Sequence, residues 1–158
     1  MNQLVTALRY GDRDSFVQLK YQRLQEGDVL RFDNLDLRGV DLSTVPLSFT
    51  YFVACNLSSA SFRSNYLLPT AFQHCDMQRV DLRGTGGVVD MYACDLRDAV
   101  WDEQTSLGPM KLDSEPSRLE AVQMDQRLHH FLANQGVRFK LRKPLDAIYD
   151  MAQNCAYQ

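Results

Sequence analysis

The sequence predicts a repeat architecture in one domain, closed at each end by helical segments. Three observations carry this. An apolar residue returns every five positions from residue 32 to residue 82, like residues realign about every twenty, and both flanks show helical spacing. A strand repeats every two residues and an α-helix every 3.6, so neither explains a period of five. The chain has 158 residues, enough for one core. At 45% hydrophobic and 23% charged it reads as a folded protein rather than a disordered tail. A net charge of -3 and a pI near 5.5 argue against general binding to nucleic acid. No apolar run approaches the roughly 18 residues of a membrane span. Arg9, Asp12, Arg13 and Asp14 interrupt any export signal, and the four cysteines then read as reduced thiols. A cytoplasmic, bacterial protein is the expectation.

The central positions of the repeat are Phe32, Leu37, Leu42, Leu47, Phe52, Leu57, Phe62, Leu67, Phe72, Met77 and Leu82. After "RGTGG" and a slip of one residue, it resumes at Met91, Leu96 and Trp101. Two places before each centre the residue is mostly smaller, as at Val40, Cys55, Ala60, Cys75 and Val80. Just before the centre it is often Asp or Asn, as at Asp36, Asp41, Asn56, Asp76, Asp81, Asp90 and Asp95.

Segments such as "VDLRG", "VDLST", "CNLSS", "ASFRS" and "CDLRD" resemble the pentapeptide-repeat family over about residues 32–101. The resemblance implies a mainly β fold, a right-handed quadrilateral parallel β-helix of three to four coils. Each pentapeptide would form one side, with the central and the small residue inward. The sequence itself supports such coils. Phe32, Phe52, Phe72 and Met91 fall in one column, Leu37, Leu57, Met77 and Leu96 in a second, and Leu42, Phe62, Leu82 and Trp101 in a third. Cys55, Cys75 and Cys94 form a column of small residues.

A solenoid needs caps, because its ends expose core and unpaired backbone. Residues 1–31 supply one: two short helices broken at Gly11, with Leu4, Val5, Leu8, Phe16, Leu19 and Leu24 as apolar contacts. Residues 32–101 are the repeat, and 102–116 read as a linker. Residues 117–158 read as a helical extension with a short strand. Ser117 and Glu120 match a capping box, which predicts a helix to about Asn134 carrying Ala121, Met124, Leu128, Phe131 and Leu132 on one face. "VRFKLR" alternates as a strand, with Val137, Phe139 and Leu141 on one side. Pro144 opens a last helix with Leu145, Ile148 and Ala152 inward. The slip predicts a loop or bulge at 83–88 and a gap in the fourth column, to be filled from Met110, Leu112, Leu128, Phe131 or Leu132.

Candidate sites are few. "RGTGG" lacks the Gly-Lys-Ser/Thr ending and the helix of a phosphate loop. The cysteine column reads as core packing. Asp125 and His129 are one helical turn apart and read as a surface pair. No nucleophile, base and orienting group come together, so no catalytic residue, metal or cofactor is assigned. The candidate partner-binding surface is the outward carboxylates Asp36, Asp76, Asp95, Asp41 and Asp81, with the basic run Arg138, Lys140, Arg142 and Lys143. The carboxylates could imitate a phosphate backbone, or bond locally to the turns. The reading is a non-enzymatic scaffold for an unidentified protein partner, monomeric or dimeric, away from membranes and without direct binding to nucleic acid. The family resemblance implies an alternative, a DNA-mimicking protein that binds a type II topoisomerase such as gyrase.

Overall fold

The computed structural model describes residues 2–108 and 116–139. Helices α1 (Asn2–Arg9) and α2 (Arg13–Gln25) precede four strands, β1 (Leu30–Asp33), β2 (Thr50–Val53), β3 (Tyr66–Gln73) and β4 (Gly86–Tyr92). Strand β5 (Arg118–Glu120) and helix α3 (Gln126–Asn134) follow. The five strands form one parallel sheet in sequence order. Thr50 lies over Leu30, Thr70 over Thr50, and Val89 over Thr70. Three turns of chain thus rise as a parallel β-solenoid, the form of a pentapeptide-repeat β-helix.

The repeat divides each turn into four sides, named here by their central residues: side one from Phe32, two from Leu37, three from Leu42, four from Leu47. Single bridges stack the sides between strands: Asp36, Asn56, Asp76 and Asp95 on side two, Asp41, Ser61 and Asp81 on side three. The corners explain why the period is five. Two residues past the centre, Asn34, Gly39, Ala54, Ser59, Ser64, His74, Arg79, Gly84, Ala93, Asp98 and Ala121 all have φ between 52° and 67°. That is the third residue of a type II turn, where a left-handed conformation costs a non-glycine about 1 kcal/mol. Hydrogen bonds to the next coil offset it: Asn34 N–H donates to Val53 O, Ser59 N–H to Gln78 O, and Arg79 N–H to Arg97 O.

The inward columns are the core. Phe32, Leu37, Leu42, Leu47, Phe52, Leu57, Phe62, Leu67, Phe72, Met77, Leu82, Met91 and Leu96 are all buried. Phe32 stacks on Phe52 at 5.4 Å and Phe52 on Phe72 at 5.2 Å between ring centroids. Phe16 of α2 joins the foot of that column, 6.5 Å from Phe32. Leu4, Ala7 and Leu8 are buried beside it, so the two helices close the lower end.

Lys20 completes that closure, and nothing in its sequence context announces it. Its ammonium donates to the carbonyls of Pro46 and Ser48, two acceptors at the foot of side four with no coil beneath them. Burial pushes its pKa down to about 8. At the top of the same side, Gln135 plays the matching part. Its side-chain amide donates to Thr105 O at 2.6 Å and accepts from Leu107 N–H at 3.0 Å, as a neighbouring strand would.

One sequence expectation is met in one of its two forms and two need correction. Of the loop or bulge expected at 83–88, the structure has the bulge. Arg83 and Gly84 form an ordinary corner, and the residue is lost further on, inside the sheet, where Leu67 pairs with Gly87 but Thr70 with Val89. Leu68 and Pro69 on β3 therefore oppose Val88 alone, as in a bulge. The fourth column, however, is not left for the C-terminal helix to plug. A Cβ on Gly87, whose φ is 119°, would collide with the Leu67 carbonyl, so backbone occupies that place. Gly86 pairs with Ser106, which sets buried Leu107 in the column above. Met110 and Leu112 lie outside the described residues.

The second correction concerns residues 117–134. Ser117–Glu120 does not cap a helix; Arg118–Glu120 is β5, with Leu119 above Met91. Gln123 bridges Asp95, so Met124 continues the second column. The repeat thus does not end at Trp101: Leu107 extends the fourth column, and residues 117–124 carry sides one and two of a further coil. Helix α3 begins only at Gln126; Leu128 and Leu132 are buried, and Phe131 stacks on Trp101 at 4.4 Å. Ala121 is an exposed corner, not part of the helical face. Arg138 bridges Arg118, which adds one more rung on side one with Val137 buried beside it. Leu141 and the expected last helix lie outside the described residues.

Candidate interaction surface

The carboxylates picked out by sequence lie where the repeat places them, just before the centres on sides two and three. Each first serves its own turn. Asp36 accepts from Arg38 N–H, Asp41 from Ser43 N–H, Asp76 from Gln78 N–H, Asp81 from Arg83 N–H and Asp95 from Arg97 N–H, at 2.9–3.2 Å. Asn56 and Ser61 bond the same way at their rungs. These are Asx-type turns, and the repeat favours Asp or Asn there because a short side-chain oxygen reaches the N–H two residues on.

A second layer lies over these turns, and "DLR" at 36–38, 81–83 and 95–97 is its signal in the sequence. In each case the arginine two residues on turns back onto the carboxylate. Arg38 Nε and Nη2 donate to Asp36 at 2.9 and 2.7 Å, Arg83 to Asp81 at 3.0 and 2.8 Å, and Arg97 to Asp95 at 3.0 and 2.7 Å. The guanidinium of Arg38, then its amide, holds the Asp36 carboxyl below its ordinary range. Arg83 and Arg97 do the same to Asp81 and Asp95. At Asp41 the Ser43 hydrogen bonds lower it.

Charge density bears on phosphate mimicry. Asp36, Asn56, Asp76 and Asp95 span about 14 Å at the ~4.8 Å spacing of paired strands. B-DNA carries about eight charges over that length. This ladder offers three carboxylates, two of them doubly bound by arginine. Sides two and three are polar and nearly charge-balanced, and backbone hydrogen bonds fix their side chains.

The other sequence candidates do not assemble into a site. Of the basic run only Arg138 is described; it is exposed, while Lys140, Arg142 and Lys143 lie outside the described residues. Cys55, Cys75 and Cys94 are buried in their column. The Cys55 thiol is pushed up, first by its contact with Cys75 and then by burial, which keeps it from being a thiolate nucleophile. Asp125 and His129 part company: Asp125 accepts from Asp98 N–H, and the His129 ring stacks on Phe139 at 4.0 Å. A groove of about 620 Å³ beside α1 and α2 is lined by Asn2, Gln3, Leu4, Leu19, Gln22, Arg23 and Glu26. Among the described residues no three of His, Cys, Asp and Glu gather as metal ligands, and no helix is long and apolar enough to cross a membrane.

Fold and surface together define a β-solenoid with polar, internally paired sides. No family model and no curated protein matches the sequence. Among solved structures, the chain is similar to full-length QnrB1, a plasmid-mediated fluoroquinolone resistance protein, at 19% identity and a TM-score of 0.29. That match covers 59% of this chain and 57% of QnrB1. A trypsin-treated form of QnrB1 matches at 15% identity and a TM-score of 0.22, over 70% of this chain and 87% of that one. Likeness at this level carries no functional argument; the fold rests on the strand register.

Proposed function

We propose that this chain is a pentapeptide-repeat protein that acts as a non-enzymatic scaffold, and that it binds a protein partner through the outward residues of sides two and three. The observation that supports this is the pinned Asp–Arg ladder. Guanidinium groups held by both a carboxylate and a regular backbone lose little freedom when a partner docks. Arginine is also enriched where proteins meet. The experiment is affinity capture from the native cell with the full chain and with the Arg38→Glu/Arg97→Glu variant. A specific partner retained by the first and lost by the second is the expected result. Failure to capture any partner, with turnover of a metabolite by the purified protein, overturns the reading. A gyrase supercoiling assay, with and without a quinolone, tests the DNA-mimicking alternative: that reading requires an effect at micromolar protein despite the paired arginines.

A further inference from the structure

The Asp–Arg pairing has one break, on side three. At 36–38, 81–83 and 95–97 the residue before the centre is Asp, the residue after it is Arg, and each arginine lies on its own carboxylate. At 61–63 the sequence is Ser-Phe-Arg. Phe62 is buried like the other centres, and Ser61 bridges Asp81, so Arg63 leaves side three directly beneath Arg83. Its rung has a hydroxyl where theirs has a carboxylate. Ser61 makes the turn bond, its Oγ accepting from Arg63 N–H at 3.3 Å. Among the described residues the exposed Arg63 guanidinium has no hydrogen bond and no ion pair. Asp81 is taken: its carboxyl is lowered first by the Arg83 hydrogen bond, and least by the more distant charge of Arg63. Asp41, one rung below, is the converse. Ser43 stands where an arginine would, so this exposed carboxylate has its turn bond and no cation. Side three thus carries an open cation and an open anion on rungs about 4.8 Å apart. A shallow cleft of about 480 Å³ surrounds them, walled also by Asp81, Ser43, Thr44, Ser61 and Ser64.

We infer that this cleft is where the partner's charges are read: the partner presents a carboxylate to Arg63, in the place Ser61 leaves empty, and a cationic side chain to Asp41. This rests on the scaffold reading and adds the chemistry of the partner. The other rungs show what the place accepts. Arg38, Arg83 and Arg97 each hold a carboxylate there with two donors at 2.7–3.0 Å. A carboxylate arriving from outside meets the same donors at Arg63, and such charge-assisted pairs are stronger than neutral ones. The second charge follows from Asp41. A wholly acidic surface would be repelled by it, and a wholly basic one by Arg63, so the two together select against both. The spacing fits a helix. Side chains four residues apart on one helix have Cβ atoms about 5–6 Å apart, close to the spacing of the two rungs. A partner helix with Glu or Asp and Lys or Arg at i and i+4 therefore matches the cleft. The paired arginines around it serve as the rigid platform, and the open pair discriminates between partners.

The test has two parts, both on the full chain. The first uses acetate as the probe and NMR of the arginine side chains as the readout. The Arg63 Nε–H signal should shift with sodium acetate and not with sodium chloride at equal ionic strength, while those of Arg38, Arg83 and Arg97 stay in place. Ser61→Asp supplies the missing carboxylate within the rung and should abolish the shift. An Arg63 signal indifferent to acetate in the native chain overturns the inference; a response regained in Asp41→Asn would show that the two charges already satisfy each other. The second part is capture from the native cell. Ser61→Asp should weaken retention of the partner by about tenfold or more, short of abolishing it because Arg38 and Arg97 remain. Ser61→Asn, which keeps the turn bond without the charge as Asn56 does, should retain the partner as the native chain does. Equal retention by the native chain and Ser61→Asp overturns the inference and leaves the scaffold reading standing. Absence of any specific partner for the native chain overturns the scaffold reading, and this inference with it. If Ser61→Asp does not fold, Arg63→Gln takes its place in the capture, with the same expected loss.

Discussion

Replacing Lys20 by methionine keeps the length of the side chain and removes its charge, which makes the closure at the foot of side four measurable. The ammonium is buried against two carbonyls and its pKa lies at about 8, against an ordinary 10.5. The direction of the pH effect follows from proton counting. Below pH 8 both the folded and the unfolded chain hold the proton. Between 8 and 10.5 the unfolded chain binds more, so this group makes stability rise with pH across that window. With those two pKa values the gain is about 1 kcal/mol by pH 9 and about 2–3 kcal/mol by pH 10. Urea denaturation of the native chain and Lys20→Met at pH 7, 8, 9 and 10 supplies the assay. Other groups titrating in this range cancel in the difference between the two proteins. The native chain should gain on the variant by these amounts. A difference flat in pH would mean that Lys20 stands in solvent and that something else satisfies Pro46 and Ser48.

Gly87→Ala should lower stability by about 2 kcal/mol or more, since a Cβ there meets Leu67 backbone at a positive φ. Gly86→Ala, whose Cβ would meet the Tyr66 ring at an ordinary 3.5 Å, should stay within about 0.5 kcal/mol; urea midpoints check both. Asp76→Asn should be close to neutral, because Asn56 makes the same bond one rung below, whereas Asp76→Ala should cost about 1 kcal/mol. Thiol reagents should modify Cys55, Cys75 and Cys94 only at the rate of global unfolding; labelling as fast as an exposed thiol would contradict their burial.

The interior was legible in the sequence because a central residue on each side has one place to go. Leu37, Phe52 and Met77 announce themselves by spacing and type, and all three are buried. The Asp and Asn positions were legible because turn chemistry selects short side-chain oxygens. Residues 117–124 were misread because two periodicities overlap there. Ala121, Met124 and Leu128 fit a helix, while Leu119 and Met124, with Ser117 and Val122 two places before them, fit the period of five. Pairing with β4 decided for the second, which local sequence cannot express. The slip was legible as one missing residue near "RGTGG", but its form as a bulge shows only when Leu68 and Pro69 are set against Val88. Lys20 and Gln135 were invisible for a related reason. Their partners are the unpaired edges of side four, and only the finished stack creates those edges.

The central claim is that sides two and three are where a partner meets this solenoid. A photo-crosslinking amino acid in place of Gln78 on side two or Arg63 on side three, expressed in the native cell, tests it directly. Position 21 on α2, where Tyr21 is 65% exposed, serves as the control. The account predicts a discrete protein adduct from positions 78 and 63, abolished by Arg38→Glu/Arg97→Glu at position 78, and none from position 21. Adducts from position 21 alone, or the same adducts from all three positions, would contradict it.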